Sequence, residues 1–309
     1  MHLPHVVNSQ QFSKSDLEKL FAVADRMRKK PHSVGAPLHR RKMVTLFYEP
    51  STRTRISFET AMHNLGGVVS STENAREFSS AAKGESLEDT IRVISGYTDV
   101  IVLRHFEEGS SLRAAAVSDV PIINAGDGPG QHPTQALLDL YTVKSELGKV
   151  DGLRYTFVGD LANGRTVRSL AYLLGKYYVT SITFVSPEVV RMGDDIKAYL
   201  DRHHVHWKET DDLLGAASES DVLYVTRIQK ERFEDRPDDY EKAQGKFVVD
   251  ASVAAVMPKK SIIMHPLPRT SELSAAVDTD PRAVYFQQAR NGLYVRQALL
   301  LKVLCDDTF

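Results

Sequence analysis

The sequence holds a single cysteine, Cys305, and almost no net charge, the formal value being −1. It also has no apolar run near the ~20 residues that a membrane helix needs. Each shortage excludes something. One thiol cannot close an intrachain disulfide and makes a cysteine-based zinc site implausible. Within its apolar C-terminal run, Cys305 reads as small packing material. Balanced charge creates no global field toward nucleic acid or an anionic membrane, so neither partner is expected and anion binding must come from local clusters. The start, Met1-His-Leu-Pro-His-Val6, lacks the basic-then-apolar layout of a secretory signal. A reducing cytoplasm is the expected compartment.

What is present suits two domains of ordinary size: 309 residues, 42% hydrophobic and 26% charged. Leu17, Leu20, Phe21, Ala24 and Met27 recur at helical spacing and predict an amphipathic helix over 15–30. Short apolar runs then alternate with helical patterns. Strands are expected at 43–48, 67–70, 99–103 and 121–124, then, after a helix at 133–147, at 154–158, 181–185, 221–225, 247–250 and 261–264. Continuous apolar strands separated by helices indicate parallel sheets covered on both faces, so the fold class is α/β. The units before and after helix 133–147 read as two sheets. A last helix, about 286–305, is apolar nearly all round and therefore buried. The expected division is 1–133 plus 290–309, with the last helix returning to the first domain, and 134–289.

Three polar connections exceed ordinary turns: 71–86, 226–246 and 265–284. All leave the carboxyl ends of expected strands, where open α/β sheets bind ligands. The segment Glu49-Pro-Ser-Thr-Arg-Thr-Arg-Ile-Ser-Phe58 opens a helix after a strand. Pro50 with Ser51 or Thr52 supplies the fixed φ and the capping oxygen that start it. Free N–H groups, three hydroxyls and Arg53 then converge as an anion site, although a plain cap with two solvated arginines also fits. Hydrogen bonds to charged groups, at ~1.5–3 kcal/mol each, outweigh the ~0.3–1 kcal/mol of the helix dipole.

FYEPSTRTRISFE resembles the phosphate-binding signature of the aspartate and ornithine carbamoyltransferases. Lys83-Gly-Glu-Ser86, His132-Pro-Thr-Gln135, Gly159-Asp-Leu-Ala-Asn-Gly-Arg-Thr166, Thr226-Arg-Ile-Gln-Lys-Glu-Arg232 and His265-Pro-Leu-Pro-Arg269 are similar to motifs of the aspartate members, in order, across nearly the whole chain. The resemblance implies transfer of a carbamoyl group from carbamoyl phosphate to L-aspartate, an early step of de novo pyrimidine biosynthesis, with no cofactor and no metal. It also implies a homotrimer with shared sites and leaves regulatory chains open.

Read on its own, Lys83 is an ordinary loop lysine. The resemblance instead implies that its loop enters the neighbouring subunit's site, where Ser79 and Lys83 become donors to phosphate and substrate carboxylate. Arg104 ends an apolar strand and fits either a local salt bridge or, by resemblance, carbamoyl phosphate. His132 and Gln135 lie three residues apart at a helix start and can face one ligand. A histidine there is held neutral more easily, which favours hydrogen-bond donation over proton shuttling. With Thr54 and Arg104 it is expected to polarise the carbonyl, while Gln135 holds the carbamoyl amide. Ser51, Thr52, Arg53 and Thr54 complete the phosphate set.

Gly159-x4-Gly164-Arg165-Thr166 has P-loop spacing with Arg in place of Lys, so a nucleotide site is a rival reading. A planar guanidinium suits a carboxylate better than it replaces the P-loop lysine. By resemblance, Arg165, Thr166, Arg227 and Gln229 bind aspartate. The two prolines of His265–Arg269 leave rigid carbonyls. The family implies that Pro266 and Leu267 position the amino group, both touching carbamoyl phosphate and Leu267 also aspartate. HPLP, rather than the HCLP typical of the ornithine enzymes, together with Arg227 and Gln229, favours a dicarboxylate over ornithine.

Overall fold

The computed structural model describes residues 5–30, 35–78, 84–228, 233, 238, 240–241, 245 and 247–305. The chain divides into two compact units, Met1–Leu138 with Arg290–Phe309 and Asp139–Ala289.

In the first unit, helix α1 (Lys14–Lys29) starts on a capping box: the Ser13 hydroxyl accepts from the Asp16 N–H while the Asp16 carboxylate accepts from the Ser13 N–H. Its Leu17, Leu20, Phe21, Ala24 and Met27 face is buried, as the spacing predicted. A four-stranded parallel sheet follows, in the order β2 (Val68–Glu73), β1 (Lys42–Phe47), β3 (Val100–His105), β4 (Ile122–Asp127). The central β3 is apolar and almost wholly buried, and β4, at one end of the sheet, is buried throughout, while β2, at the other, is exposed or half-exposed. Helices α2 (Thr52–Asn64), α3 (Ala75–Phe78), α4 (Leu87–Ser95) and α5 (Ser110–Val117) occupy the crossovers. Between the sheet and α3–α5, Leu46, Leu87, Ile91, Ile101, Leu103 and Ile122 form one core. Helix α6 (Pro133–Leu147) runs on into the second unit.

The second unit holds a five-stranded parallel sheet, ordered β7 (Trp207–Thr210), β6 (Ser181–Val185), β5 (Arg154–Val158), β8 (Val222–Val225), β9 (Ile262–Met264). Helices α7 (Arg165–Leu174), α8 (Asp194–Arg202), α9 (Leu213–Ser218) and α10 (Ala251–Val256) belong to it. The last helix, α11 (Tyr285–Leu304), crosses into the residues of the first unit. There Val295, Ala298, Leu299, Leu300 and Leu301 are buried, Arg296 lies 5.1 Å from the Phe58 ring of α2, and Lys302 reaches Asp16 of α1 at 3.5 Å.

Two strand expectations need correction. Residues 247–250 form no strand: Val249 makes one isolated bridge to Leu273, and Asp250 caps α10 through the N–H groups of Ser252 and Val253. Conversely, β7 was not expected, because its sequence WKET has no apolar run; it lies on the sheet edge, where none of its residues is fully buried. β2 also continues to Glu73, three residues into the first long connection.

Candidate active site

Parallel strands place their carboxyl ends on one edge, so the segments after β1, β3 and β4 gather together in the first unit. Helix α2 starts there. Ser51 is its N-cap in an extended conformation, yet its hydroxyl makes no capping bond, so the sequence-based capping role is not taken up. N–H groups of the first helical turn have no partner inside the helix and point out of the sheet. Thr52 and Arg53 are exposed at this turn, and Thr54 is buried. Arg55, two residues on, is drawn into a side network: it bonds Glu59 at 3.2 Å, Glu73 at 2.9 Å and the Ser71 hydroxyl at 3.2 Å. The STRTR segment therefore separates an outward guanidinium from a structural one.

Arg104 pairs in register with Phe47, so it arrives beside the α2 start. Its guanidinium meets Glu49 at 3.3 Å and donates to the Ala125 carbonyl at 3.3 Å. That pair fixes the cation between the end of β1 and the end of β4. Next to it, burial pushes the pKa of His105 down, and the Glu107 N–H donates to its Nδ1 at 3.1 Å, both favouring the neutral ring. The loop after β4 turns tightly on Gly128, whose φ of +50° and 2.3 Å approach of a would-be Cβ to the Phe106 carbonyl require glycine. The Asp127 carboxylate braces it by accepting from the Gln131 N–H at 2.7 Å and the Gly109 N–H at 3.2 Å. His132 emerges buried, with Nδ1 3.3 Å from the Thr134 hydroxyl, and its carbonyl accepts from the Gln135 N–H at 3.0 Å. Ser51, Thr52, Arg53, Thr54, Arg104, His132 and Gln135 thus share one sheet edge: a cluster of donors with two guanidinium groups, suited to a phosphorylated anion.

The second unit builds its own edge from the ends of β5, β8 and β9. Gly159 has a φ of +115°, and a Cβ there would stand 2.1 Å from the Thr226 carbonyl, so the two strand ends touch. The Thr226 hydroxyl bonds back to the carbonyls of Val158 at 3.3 Å and Asp160 at 3.4 Å. The buried Asp160 carboxylate accepts from the Asn163 N–H at 2.9 Å, shaping the turn that puts Arg165 at the first position of α7. Arg165, Thr166 and Arg227 are all half-buried at this edge. Arg168 is committed elsewhere, to Asp195.

After β9, the His265–Arg269 segment is braced from several sides. Leu267 sits at a φ of +54°, and its N–H donates to His265 Nδ1 at 2.8 Å. With Nδ1 accepting, Nε2 carries the proton and meets the Glu272 carboxylate at 2.8 Å. Burial of Glu272 raises its pKa, but hydrogen bonds from His265, from the Thr270 hydroxyl and from backbone N–H groups more than offset this and bring it to about 2. The Asp278 carboxylate takes up Arg269 and the Tyr285 hydroxyl. Pro266 and Leu267 are consequently held on a braced loop at the same strand edge, after β9 and next to the end of β8.

Ser79, Lys83 and Gln229 fall outside the described residues. Sequence reasoning also passed over a group of buried polar residues in the second unit, Asp139, Tyr224, Glu272 and Gln288. Asp139 had a legible signal, since it is the one carboxylate within the apolar stretch Ala136-Leu-Leu-Asp-Leu-Tyr141.

Comparison with known proteins places these two edges in context. Residues 4–145 match the family described as "Aspartate/ornithine carbamoyltransferase, carbamoyl-P binding domain", and residues 151–303 match "Aspartate/ornithine carbamoyltransferase, Asp/Orn binding domain". A chloroplastic aspartate carbamoyltransferase of Oryza sativa subsp. japonica is 60% identical over 98% of this chain and 86% of the relative. The aspartate carbamoyltransferase catalytic subunit of Thermoplasma volcanium is 50% identical over 97% of this chain and 98% of the relative. Among solved structures, the aspartate transcarbamoylase of Trypanosoma cruzi in complex with carbamoyl phosphate and aspartate superimposes with a TM-score of 0.93 at 41% identity, covering 97% of each chain.

Proposed function

The chain belongs to the aspartate/ornithine carbamoyltransferase family, and from that premise we propose that it carries the carbamoyl group of carbamoyl phosphate to L-aspartate, giving N-carbamoyl-L-aspartate and phosphate. The observation that carries this reading is the separation of cationic groups between two strand edges. Arg53 and Arg104 share one strand edge with hydroxyls and the buried His132, and Arg165 and Arg227 share the other with the braced carbonyl-bearing loop after β9. The first suits an acyl phosphate, the second a dicarboxylate with an amine.

Carbamoyl phosphate is already an activated acyl donor. The aspartate amine forms the new N–C bond, the C–O bond to phosphate breaks, and the amine proton leaves with the departing phosphate. Orientation of the two reactants contributes up to ~7–11 kcal/mol of the barrier. A well-aimed donor to the developing oxyanion adds ~2.7–4 kcal/mol. In this reading Ser51, Thr52, Arg53 and Thr54 hold the phosphate. Arg104, His132 and Thr54 polarise the carbonyl, and Gln135 holds the carbamoyl amide. Arg165, Thr166, Arg227 and Gln229 grip the aspartate carboxylates, and the carbonyls of Pro266 and Leu267 orient the amino groups.

The proposed assembly is a homotrimer in which Ser79 and Lys83 serve the neighbouring subunit's site. Archaeal relatives are named catalytic subunits, which leaves regulatory chains open for this one. No helix among the described residues is long and apolar enough to cross a membrane. The cytoplasm is the proposed compartment, although the plant relatives are named chloroplastic. The activity is tested by supplying carbamoyl phosphate with L-aspartate or L-ornithine and identifying the product. N-carbamoyl-L-aspartate is expected, and citrulline as the main product would reject the assignment.

A further inference from the structure

Within the second unit, a buried chain of side chains joins the start of α7 to the loop after β9. Asp139 is fully buried, and its two oxygens are divided: Oδ2 accepts from the Tyr224 hydroxyl at 2.7 Å and Oδ1 from Nε2 of Gln288 at 2.7 Å. The Thr166 side chain, at the start of α7, acts on the same Tyr224 hydroxyl and lowers its pKa against the larger effect of burial. The Oε1 of Gln288 accepts from the His265 N–H at 2.9 Å, and His265 accepts from the Leu267 N–H at 2.8 Å. Burial first, and the Asp139 charge second, push the Tyr224 pKa well above the ordinary tyrosine value, so its hydroxyl keeps its proton.

The donor and acceptor roles along this chain admit one solution. The His265 N–H occupies the oxygen of Gln288, so the amide NH2 must face Asp139. An ionised Asp139 carboxylate has no proton to give, so the phenolic proton of Tyr224 points to Asp139. Position 139 must therefore accept on both sides, which a carboxylate does and an amide cannot. Leaving one of these buried groups unmatched costs more than the bond itself contributes. The chain also ends, at both extremities, on residues read as binding aspartate: Thr166, next to Arg165, and Leu267, next to Pro266.

We propose that Asp139 is a positioning residue for the amino-acid substrate, holding the α7 start and the Pro266–Leu267 carbonyls in one frame. This rests on the reading of the second unit as the aspartate site. Its test uses steady-state kinetics of the full chain. Asp139→Asn is expected to raise the KM for aspartate roughly tenfold or more, the size of one lost buried hydrogen bond, with the KM for carbamoyl phosphate unchanged. Tyr224→Phe is expected to raise it less. The double variant D139N/Q288E restores every pairing: the amide oxygen accepts from Tyr224, its NH2 donates to the new carboxylate, and that carboxylate still accepts from the His265 N–H. It is expected to return the KM for aspartate toward the parent value.

An unchanged aspartate KM in D139N, an equal rise for both substrates, or a folded double variant without recovery would each overturn the proposal. If D139N does not fold, Tyr224→Phe and the double variant decide alone, and an unchanged aspartate KM in Tyr224→Phe then overturns it. Failure of the underlying functional reading is separate, because the parent protein would then form no N-carbamoyl-L-aspartate.

Discussion

Arg53 and Arg55 stand two positions apart on α2 and have opposite fates. Arg53 is exposed at the first turn, while Arg55 is tied to Glu59, Glu73 and Ser71. Arg53→Ala should therefore lower the transfer rate by about 10²–10³-fold, the cost of one preorganised donor, and leave thermal stability unchanged. Arg55→Ala should do the reverse, removing roughly 1–3 kcal/mol of stability by leaving carboxylates without their partner; paired denaturation and kinetic measurements separate the two. Spacing alone could not have told these arginines apart, because two partners of Arg55, Ser71 and Glu73, come from β2.

Glu272 gives a pH prediction at the same scale. Its folded pKa, about 2, lies below its ordinary value of 4.5. The group therefore stabilises the native state fully above about pH 4.5, and that contribution is lost as pH falls toward 2. The difference is on the order of 3 kcal/mol at neutral pH. Glu272→Gln should flatten the acid limb of the stability curve across that window, as followed by denaturant unfolding at stepped pH.

Among the elements, the apolar strands were legible at the edges as well as inside, and only the polar edge strand β7 was not. β3, β5, β6 and β8 carry nearly continuous apolar runs because both faces are covered. WKET of β7 lacks that signal, and the apolar Phe247-Val-Val249 that carries it is held by a single bridge and a helix cap. A hydrophobic run reports burial; it does not report pairing. Motif positions at helix starts were read correctly as starts, since α2, α6 and α7 begin at Thr52, Pro133 and Arg165. The polar bracing behind them was invisible, because Tyr224, Asp139 and Gln288 meet across 85 and 149 residues of sequence. Gly159 supplies the element-scale test. Gly159→Ala would force a Cβ against the Thr226 carbonyl at a φ of +115°, prying the ends of β5 and β8 apart. A loss of roughly 1–3 kcal/mol in stability is expected from a strained backbone position, together with a weakened aspartate KM because Arg227 follows Thr226 directly.

At the scale of the molecule, the α/β class and two parallel sheets were foreseeable from alternating apolar and helical patterns, whereas for the last helix the pattern showed burial but not what it packs against. The proposed subunit sharing has no such signal, since no periodicity encodes which chain a loop serves. Mixing inactive Lys83→Ala and His132→Ala chains under subunit exchange should recover activity that neither parent has, because a trimer with shared sites then contains one intact set. Absence of recovery, with a monomeric solution mass, would remove the trimer from the proposal.

The most direct measurement is calorimetric binding of N-(phosphonacetyl)-L-aspartic acid, which joins a phosphonate and an aspartate in one molecule, to the parent chain and to single alanine variants at Arg53, Arg165 and Arg227. Tight binding by the parent and a loss of at least about tenfold in each variant, one charged hydrogen bond apiece, are predicted. Equal affinity in all four proteins would contradict the account.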